Sequence, residues 1–482
     1  MKRAHVQTFG CQMNAHDSRR IEEVLGGAGY ESASDASEVD LIVVNTCSVR
    51  EKAEHKLMSF LGTLRREKER RPGLMIAVAG CVAQQEGEAL LNKESAIDVV
   101  IGPDNIPELP ALLRRVEDGA PPLVHTEFDV EAPGFLEPSA SLSPALGEVS
   151  TYVTVMKGCD ERCTYCIVPH TRGPERYRKA DDIVDEVAYR VRLGAREVTL
   201  LGQTVNSWYE PEDAPSRGGE RPSEFPMLLR RIAREVPELT RLRYTSPHPR
   251  HLTDSLVQAH ADLNVLPAHV HMPVQSGSDR MLKRMLRRYS RAQYVSRVNK
   301  LKEVRPGITL STDVIVGFPG ETESDFEQTL SVIEEAGFVA AYCFKYSPRP
   351  HTPALKLGDD ITPSVKSDRL ARLLALVEHQ QSKHLRSLVG QKTKVLVEKR
   401  GRNDAWTGRS ERHEIVHFVG PDGFDLEGAL VEVEVEKANK HSLMGRLLQS
   451  DDDLFAMQAS REVGRIGLEK DRNRRHRLRV LG

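Results

Sequence analysis

Three cysteines lie close together near the middle of the chain, at Cys159, Cys163 and Cys166, with the spacing C-x3-C-x2-C. Three thiolates at this spacing can ligate a four-iron cluster and leave one iron without a protein ligand. An open iron can bind the amino and carboxylate groups of S-adenosylmethionine (SAM) and pass an electron to its sulfonium. The motif therefore predicts radical chemistry, inside a fold large enough to enclose it.

The rest of the composition sets limits on where such a protein works. The chain has 482 residues, seven cysteines and a net charge of −2. An odd number of cysteines without an apolar leader favours metal or redox chemistry over a disulfide framework. No apolar run approaches the roughly 18 residues that a membrane-spanning helix needs. We therefore expect a cytoplasmic protein without a membrane partner, and any nucleic-acid surface has to be local.

Residues 1–127 predict a parallel-sheet α/β domain. Charged helical stretches separate short apolar runs, and this alternation is typical of a sheet covered by helices on both faces. The runs lie at 6–9, 41–45, 74–79 and 99–101.

Cys11, Cys47 and Cys81 each come within two residues of the end of one of these runs. The carboxyl ends of parallel strands line one crevice, so cysteines far apart in sequence can meet there. We expect a second three-thiolate site, and the alternative is three buried structural cysteines. Cys343 stands alone in an apolar run and is expected only to pack.

A linker is predicted at 128–149, which is rich in proline, serine, alanine and glycine. Six strands with intervening helices are then predicted within 150–385, and these indicate a partial (β/α)6 barrel with its chemistry at the strand carboxyl ends. The C-x3-C-x2-C motif follows the first of these strands. A zinc site completed by His170 is the alternative for that motif, but zinc would leave the barrel without an evident role.

The carboxy-terminal region changes character. At 386–450, valines at 431, 433 and 435 alternate with glutamates, which predicts a small antiparallel β-barrel. Trp406 and Phe418 are candidates either for stacking on bases or for its core. A basic tail at 451–482 is expected to be a mobile extension.

A dense basic stretch lies within the barrel region. Its side chains are interpreted either as phosphate contacts or as one solvated helix face. They are Arg280, Lys283, Arg284, Arg287, Arg288 and Arg291.

Several longer motifs resemble the radical SAM methylthiotransferases, over about the first 448 positions. They are 8–14 (TFGCQMN), 45–53 (NTCSVREKA), 166–169 (CIVP), 171–173 (TRG), 273–278 (PVQSGS), 313–322 (DVIVGFPGET) and 346–350 (YSPRP). His170, Thr204 and His351 depart from the residues that the family pattern has at those positions. These departures affect local contacts and remove no cysteine.

The resemblance implies an amino-terminal methylthiotransferase domain, a radical SAM partial barrel and a carboxy-terminal TRAM domain that is OB-like and binds RNA. It also implies two 4Fe-4S clusters, one on each cysteine triplet. SAM would serve as both methyl donor and radical source.

The resemblance and the positions of polar residues at strand ends together suggest a set of SAM-binding residues. Gly202, Gln203, Thr312 and Asp313 could instead be turn or ordinary barrel residues, and Tyr165 could be a core aromatic. The glycines at 317 and 320 would let the backbone approach the adenine. The full set is Tyr165, Gly202, Gln203, Gln275, Ser276, Thr312, Asp313, Gly317 and Glu321.

The activity that the resemblance implies is methylthiolation of C2 of N6-isopentenyladenosine beside the anticodon of tRNA, by radical C–H abstraction and sulfur insertion. The implied partners are tRNA and an electron donor such as flavodoxin or ferredoxin, while the sulfur source stays open. We expect a monomer. The alternatives are methylthiolation of a ribosomal-protein aspartate or of threonylcarbamoyl-adenosine in tRNA, and a non-catalytic iron-sulfur RNA-binding redox sensor.

Overall fold

The computed structural model describes residues 2–48, 51–128, 135, 148–215, 222–401 and 405–456. Most of the predicted linker at 128–149 and the predicted tail beyond residue 456 lie outside these ranges. Three regions follow one another along the chain: a parallel sheet, an open barrel and a small closed barrel.

The amino-terminal region is a six-stranded parallel sheet with the order β2-β1-β3-β4-β5-β6. The central strand β3 is entirely buried, as expected for an apolar run covered on both faces. The sequence interpretation missed its two short strands, β2 and β6. The strands are β1 (Lys2–Phe9), β2 (Tyr30–Ser32), β3 (Leu41–Thr46), β4 (Met75–Ala79), β5 (Val99–Ile101) and β6 (Leu123–His125). The helices are α1 (Gln12–Gly27), α2 (Glu51–Arg70), α3 (Cys81–Glu86), α4 (Glu88–Lys93) and α5 (Leu109–Glu117).

The middle region is the predicted partial barrel. Six parallel strands form two three-stranded sheets with the orders β7-β10-β11 and β12-β13-β14, and β8 and β9 form a separate antiparallel pair. The strands are β7 (Ser150–Thr154), β8 (Met156–Lys157), β9 (Arg176–Tyr177), β10 (Glu197–Leu201), β11 (Arg241–Tyr244), β12 (His269–His271), β13 (Thr309–Val316) and β14 (Ala340–Lys345). The helices are α6 (Val168–Arg172), α7 (Ala180–Arg192), α8 (Phe225–Glu235), α9 (Asp254–Asp262), α10 (Asp279–Arg284), α11 (Arg291–Val304), α12 (Glu323–Ala336) and α13 (Pro363–Ser387).

The carboxy-terminal region is a closed five-stranded barrel with the order β15-β16-β17-β19-β18. Alternating valines of β18 point into its core, as the sequence pattern predicts. Trp406 and Phe418 are also core residues, with 5% and 0% exposure, so of the two predicted alternatives the structure supports the core and not stacking on bases. The strands are β15 (Lys392–Arg400), β16 (Ala405–Ser410), β17 (Ile415–Val419), β18 (Leu430–Ala438) and β19 (Leu443–Leu447).

The closed barrel packs against the amino ends of the open-barrel strands. Arg241, at the start of β11, donates to the backbone oxygen of Arg409 at 2.8 Å. The rings of His269 and His413 stack with centroids 5.4 Å apart. The carboxyl ends of the same strands therefore stay free to face the amino-terminal sheet.

A buried charge network joins the amino-terminal sheet domain to the open barrel. Glu186 of α7 accepts from Arg20 of α1 at 2.5 Å and also pairs with Arg178 and Arg190. Burial alone would raise the pKa of Glu186, but the three arginines lower it to about 2. The carboxylate is therefore held in its charged form at the domain boundary.

None of the helices in the described part of the chain combines the length and the hydrophobicity that crossing a lipid bilayer requires.

Candidate active site

The three amino-terminal cysteines lie at the carboxyl ends of adjacent strands. Strands β1, β3 and β4 are neighbours in the sheet, with Phe9 opposite Thr46 and Asn45 opposite Ala79. Cys11, Cys47 and Cys81 each follow one of these strands within two residues. The structure thus brings together three cysteines that are separated by more than thirty residues in sequence.

Two glycines let these strand ends come close together. A Cβ atom on Gly10 would lie 2.4 Å from the Cβ of Cys47. Gly80 has φ +92°, and a Cβ there would lie 2.2 Å from Oδ1 of Asn45. Only glycine fits both positions, because any side chain would push the strand ends and their cysteines apart.

Hydrogen bonds to side chains of helix α1 fix the orientation of Cys11. Cys11 is the residue before α1, and its thiol donates to Oδ1 of Asn14 at 3.3 Å. Asn14 in turn donates to Oδ1 of Asn45 at 2.9 Å. The hydrogen bond from Cys47 is the main cause that lowers the pKa of Cys11 to about 6. A thiolate at this position suits metal ligation.

The second triplet belongs to one loop. Strands β8 and β9 pair with each other and frame the segment that carries Cys159, Cys163 and Cys166. Within it, the backbone N–H of Cys166 donates to the oxygen of Cys163 at 3.0 Å. Burial raises the pKa of Cys166 to about 12 and that of Cys159 well above its usual value. A bound cation would therefore have to stabilise the thiolates of Cys159 and Cys166.

Side chains from elsewhere in the barrel contact this triplet. The sulfur of Cys159 lies 3.0 Å from Oγ1 of Thr204, which follows β10. The Nη1 atom of Arg287 donates to the sulfur of Cys163 at 3.2 Å and lies 3.4 Å from the hydroxyl of Tyr165. These contacts fix the loop from two sides.

One arginine of the barrel reaches the amino-terminal triplet. Arg172 ends α6, the short helix after Cys166, and its Nε donates to the sulfur of Cys81 at 3.3 Å. Its Nη2 pairs with Asp17 of α1 at 2.6 Å. Arg172 is therefore in contact with one cysteine triplet and follows the other by six residues.

Each triplet offers the three thiolates that a four-iron cluster with one open iron needs, and its three sulfur atoms are not all as close together as tetrahedral zinc requires. Tetrahedral zinc with sulfur at about 2.3 Å places its ligand atoms roughly 3.8 Å apart. Among the described residues, the one His, Cys, Asp or Glu group with all ligand atoms within 4.8 Å is Glu161, His248 and His251. Both triplets are thus wider than a zinc site, and the predicted fourth zinc ligand, His170, is exposed.

A cavity of about 710 Å³ extends from the amino-terminal triplet through the open barrel to the closed barrel. Cys11, Cys47 and Cys81 line one end of it, and His413 of the closed barrel lines another part. Cys159, Cys163 and Cys166 are not lining residues, whereas Val168 and Arg172 of the helix that follows them are.

Comparison with known proteins divides the chain as the fold does. Residues 3–102 match the Uncharacterized protein family UPF0004, residues 153–333 match the Radical SAM superfamily and residues 386–448 match the TRAM domain.

Proteins named tRNA-2-methylthio-N(6)-dimethylallyladenosine synthase resemble the chain over nearly its whole length. One from Sorangium cellulosum is 57% identical over 97% of this chain and 97% of its own length. One from Syntrophobacter fumaroxidans is 45% identical over 92% of this chain and 95% of its own length. The chain belongs to the radical SAM methylthiotransferase family. This radical SAM methylthiotransferase is therefore an enzyme whose cofactors are SAM and [4Fe-4S] clusters.

Solved structures confirm the fold of this methylthiotransferase. The radical SAM methyltransferase TsrM from Kitasatospora setae, with cobalamin and a [4Fe-4S] cluster bound, is 16% identical to it. The match covers 73% of this chain and 77% of that chain with a TM-score of 0.50.

Three of the predicted SAM-binding residues of the methylthiotransferase line the cavity: Gly202, Gln203 and Asp313. Both amide atoms of Gln203 are buried without a hydrogen-bond partner in the protein. Asp313 faces His271, with 3.4 Å between carboxylate and ring nitrogen. Gln203 therefore offers a free donor and a free acceptor to a bound molecule.

The other predicted SAM-binding residues lie outside the cavity lining. Thr312 donates to the oxygen of Met272 at 2.9 Å, and Ser276 lies 3.2 Å from the hydroxyl of Thr329. Glu321 accepts from the N–H of Gly317 at 2.6 Å. Gln275 is buried with φ +69°, and the ring of Tyr165 packs edge-on against a phenylalanine. Their role toward SAM stays a prediction.

Sequence reasoning missed four residues near the site. Tyr342 and Phe344 of the edge strand β14 line the cavity although they are 57% and 38% exposed. Two aromatic residues within one predicted strand were a weak signal in the sequence. The contacts of Arg172 and Arg287 with cysteines gave none, because each partner lies more than ninety residues away.

The basic stretch is mostly paired within the protein. Arg280 pairs with Asp325, and Arg291 pairs with Glu335 at 2.6 Å. Arg284 donates to the oxygen of Pro319 at 3.1 Å, and Arg287 is buried against Cys163. The stretch is therefore not a single solvated face, and its contact with phosphates stays a prediction for the exposed Lys283 and Arg288.

Proposed function

We propose that this enzyme methylthiolates C2 of N6-isopentenyladenosine beside the anticodon of tRNA. The observation that carries the proposal is the 57% identity, over 97% of both chains, to a protein named for that product. The cavity supports it, because the amino-terminal triplet and the open edge of the barrel belong to one continuous space.

Each cysteine triplet is proposed to hold one [4Fe-4S] cluster. When bound, the clusters and SAM would supply the carbon radical and the methyl group, while the source of the inserted sulfur stays open. A radical is needed because the hydrogen of an aromatic C–H bond is too weakly acidic for a protein base to remove as a proton. The protein's own contribution is to position cofactor and substrate. Gly10 and Gly80 hold Cys11, Cys47 and Cys81 at one edge of the sheet, and β8 and β9 hold the second loop.

The target base is proposed to enter the cavity beside the edge strand β14. A base in an RNA loop can be splayed out of its stack and bound against aromatic side chains. Tyr342 and Phe344 present such rings to the cavity, and the ring of His271 lies 5.8 Å from that of Tyr342. An apolar isopentenyl group would bury well against the same surface.

Gln203 is proposed to hydrogen-bond SAM or the target adenine. Its unpartnered amide has one donor side and one acceptor side, which is the pattern that an adenine edge or the amino acid part of SAM can satisfy. Leaving such a buried amide unpaired costs free energy, so a ligand that pairs it is favoured.

The closed barrel is proposed to bind the tRNA body, and the reducing electron is proposed to come from a small protein such as flavodoxin or ferredoxin. The family match to the TRAM domain supports the first proposal. A cytoplasmic location is proposed on the same basis, because tRNA is the substrate of the relatives by name.

Nucleoside mass spectrometry of tRNA tests the proposed function. Cells that lack the protein should accumulate N6-isopentenyladenosine, and restoring the intact chain should convert it to the 2-methylthio product. Restoring a Cys163→Ala chain should not. Unchanged modification after deletion would show that the substrate is a different one.

A further inference from the structure

Each cysteine triplet receives a hydrogen bond from one buried arginine that lies outside its own ligand segment. Arg172 Nε lies 3.3 Å from the sulfur of Cys81, and Arg287 Nη1 lies 3.2 Å from the sulfur of Cys163. Both arginine side chains are about 5% exposed as residues. Burying a guanidinium is costly unless it is paired.

Arg172 has an ion-pair partner, and its contact with Cys81 uses a different nitrogen. The Nη2 atom binds Asp17 at 2.6 Å, so the charge is compensated without the cysteine. The backbone oxygen of Arg172 accepts from Arg176 at 2.9 Å, and Arg176 pairs with Asp104 of the amino-terminal domain at 2.5 Å. These contacts lock the guanidinium so that Nε points at the sulfur of Cys81.

Arg287, unlike Arg172, is held by uncharged groups. Its Nε donates to the hydroxyl of Tyr289 at 3.1 Å, and its Nη2 lies 3.5 Å from the oxygen of Pro273. Within the part of the chain that the structure describes, no carboxylate hydrogen-bonds to Arg287. The sulfur of Cys163 is therefore the natural place for a negative charge beside this cation.

An N–H donor to a ligating sulfur changes the electronic properties of a cluster. Such bonds stabilise the more negatively charged, reduced form and so raise the reduction potential. The two arginines lie on different elements and contact different triplets. Each arginine is therefore expected to change the reduction potential of its own cluster alone.

We propose that Arg172 and Arg287 are positioning residues that set the reduction potentials of the two clusters independently. Arg172 acts on the cluster of Cys11, Cys47 and Cys81, and Arg287 acts on the cluster of Cys159, Cys163 and Cys166. This inference rests on the proposed assignment of one cluster to each triplet. It does not depend on the RNA substrate.

The test is a redox titration of the full-length, anaerobically reconstituted enzyme, followed by electron paramagnetic resonance. Each cluster is measured alone in a background where the other triplet is replaced by alanine. Arg172→Met should lower the potential of the amino-terminal cluster, with a roughly tenfold smaller reduced-to-oxidised ratio at fixed potential, which is about 59 mV for one electron. Arg287→Met should do the same for the other cluster.

Two further variants separate the N–H bond to sulfur from the ion pair. Asp17→Asn removes the carboxylate partner of Arg172 and leaves Nε beside Cys81, so the potential should not fall as it does in Arg172→Met. Arg172→Lys keeps a cation but lacks the forked donors, so its potential should lie between wild type and Arg172→Met.

Several outcomes would overturn the inference. An unchanged potential in Arg172→Met with a reduced iron content would show a purely structural arginine. Equal shifts in Arg172→Met and Asp17→Asn would assign the effect to the ion pair. If Arg172→Met retains no cluster, its potential cannot be measured. An unchanged potential in Arg172→Lys would then refute the inference. If the wild-type enzyme with both clusters forms no methylthiolated product, the proposed function fails while this inference stands.

Discussion

The two cysteine triplets reach similar chemistry by different routes. Cys159, Cys163 and Cys166 lie on one loop between paired strands, so their spacing is mostly a local property. Cys11, Cys47 and Cys81 come from three strand ends and meet only because the sheet register places them side by side. The first site should therefore tolerate damage to the sheet, whereas the second should not.

Single cysteine substitutions should separate the roles of the two triplets most clearly. Cys163→Ala should abolish SAM cleavage, because it removes one of the ligands proposed for the radical cluster. Cys47→Ala should still cleave SAM and form no methylthiolated adenosine. The measurement is 5'-deoxyadenosine and methylthio product under anaerobic reduction. Normal 5'-deoxyadenosine formation by Cys163→Ala, or normal product from Cys47→Ala, would contradict the division of roles.

Gly80→Ala should disable the amino-terminal site and leave the radical site working. The new Cβ would lie 2.2 Å from Oδ1 of Asn45 and 2.9 Å from the oxygen of Thr46 at φ +92°. We expect a loss of roughly 2–4 kcal/mol of stability from strain and overpacking, with loss of about half of the iron.

Gly29→Ala is the matched control for that prediction. Gly29 has φ +91°, yet nothing lies within 4 Å of its would-be Cβ, so it carries the conformational cost without the clash. Iron content should stay at the wild-type level in Gly29→Ala. Equal iron loss in the two variants would mean that backbone strain, and not crowding at the cysteines, is responsible.

Glu186→Gln tests how much the buried charge network between the two domains stabilises the protein. It removes the carboxylate that pairs with Arg178 and leaves Arg20 and Arg190 with Glu23 alone, and breaking such a buried network costs roughly 3–5 kcal/mol. Chemical denaturation should show this loss. The exposed Glu235→Gln should change stability little, and an equal effect of both would show that the network is not special.

The same network has a defined pH dependence. The folded-state pKa of Glu186 is lowered to about 2 from a normal value of 4.5. Its contribution to stability is therefore fully present above about pH 4.5 and is lost as the pH falls toward 2. The acid-induced loss of stability should be smaller in Glu186→Gln than in wild type.

Tyr342→Ala should have the smallest effect of these substitutions. It should weaken the reaction with tRNA and leave the cleavage of SAM unchanged. Stacking of a base on an aromatic ring contributes about 1–3 kcal/mol, so kcat/KM for tRNA should fall roughly tenfold. Reductive SAM cleavage without RNA should be unchanged. Tyr342→Phe keeps the ring and should retain most of the activity. A similar loss in both variants would point to the hydroxyl and not to stacking.

The sequence predicted these two triplets unequally well, for physical reasons. Cys159, Cys163 and Cys166 are recognisable from spacing alone because they share one loop. Cys11, Cys47 and Cys81 required a prediction of strand ends, which the buried apolar runs supplied. The contact between Arg172 and Cys81 depends on how two domains dock, and no local pattern encodes that distance.

Other side chains show the same limit. In the sequence, Arg287 belongs to a charged stretch that is typical of a surface. In the structure it lies in the turn after α10 and contacts the sulfur of Cys163. Trp406 and Phe418 fit both a base-binding surface and a core, and only closure of the five-stranded barrel decides for the core. Burial of a single residue in an alternating strand depends on which face the neighbouring strands cover.

The most direct test of the account is the metal content of anaerobically prepared protein, measured with iron and sulfide analysis and Mössbauer spectroscopy. The full-length enzyme should hold about eight irons as two four-iron clusters, and replacing either triplet with alanine should leave about four. A colourless protein, a protein that carries zinc, or a variant that loses all its iron when only one triplet is replaced would contradict it.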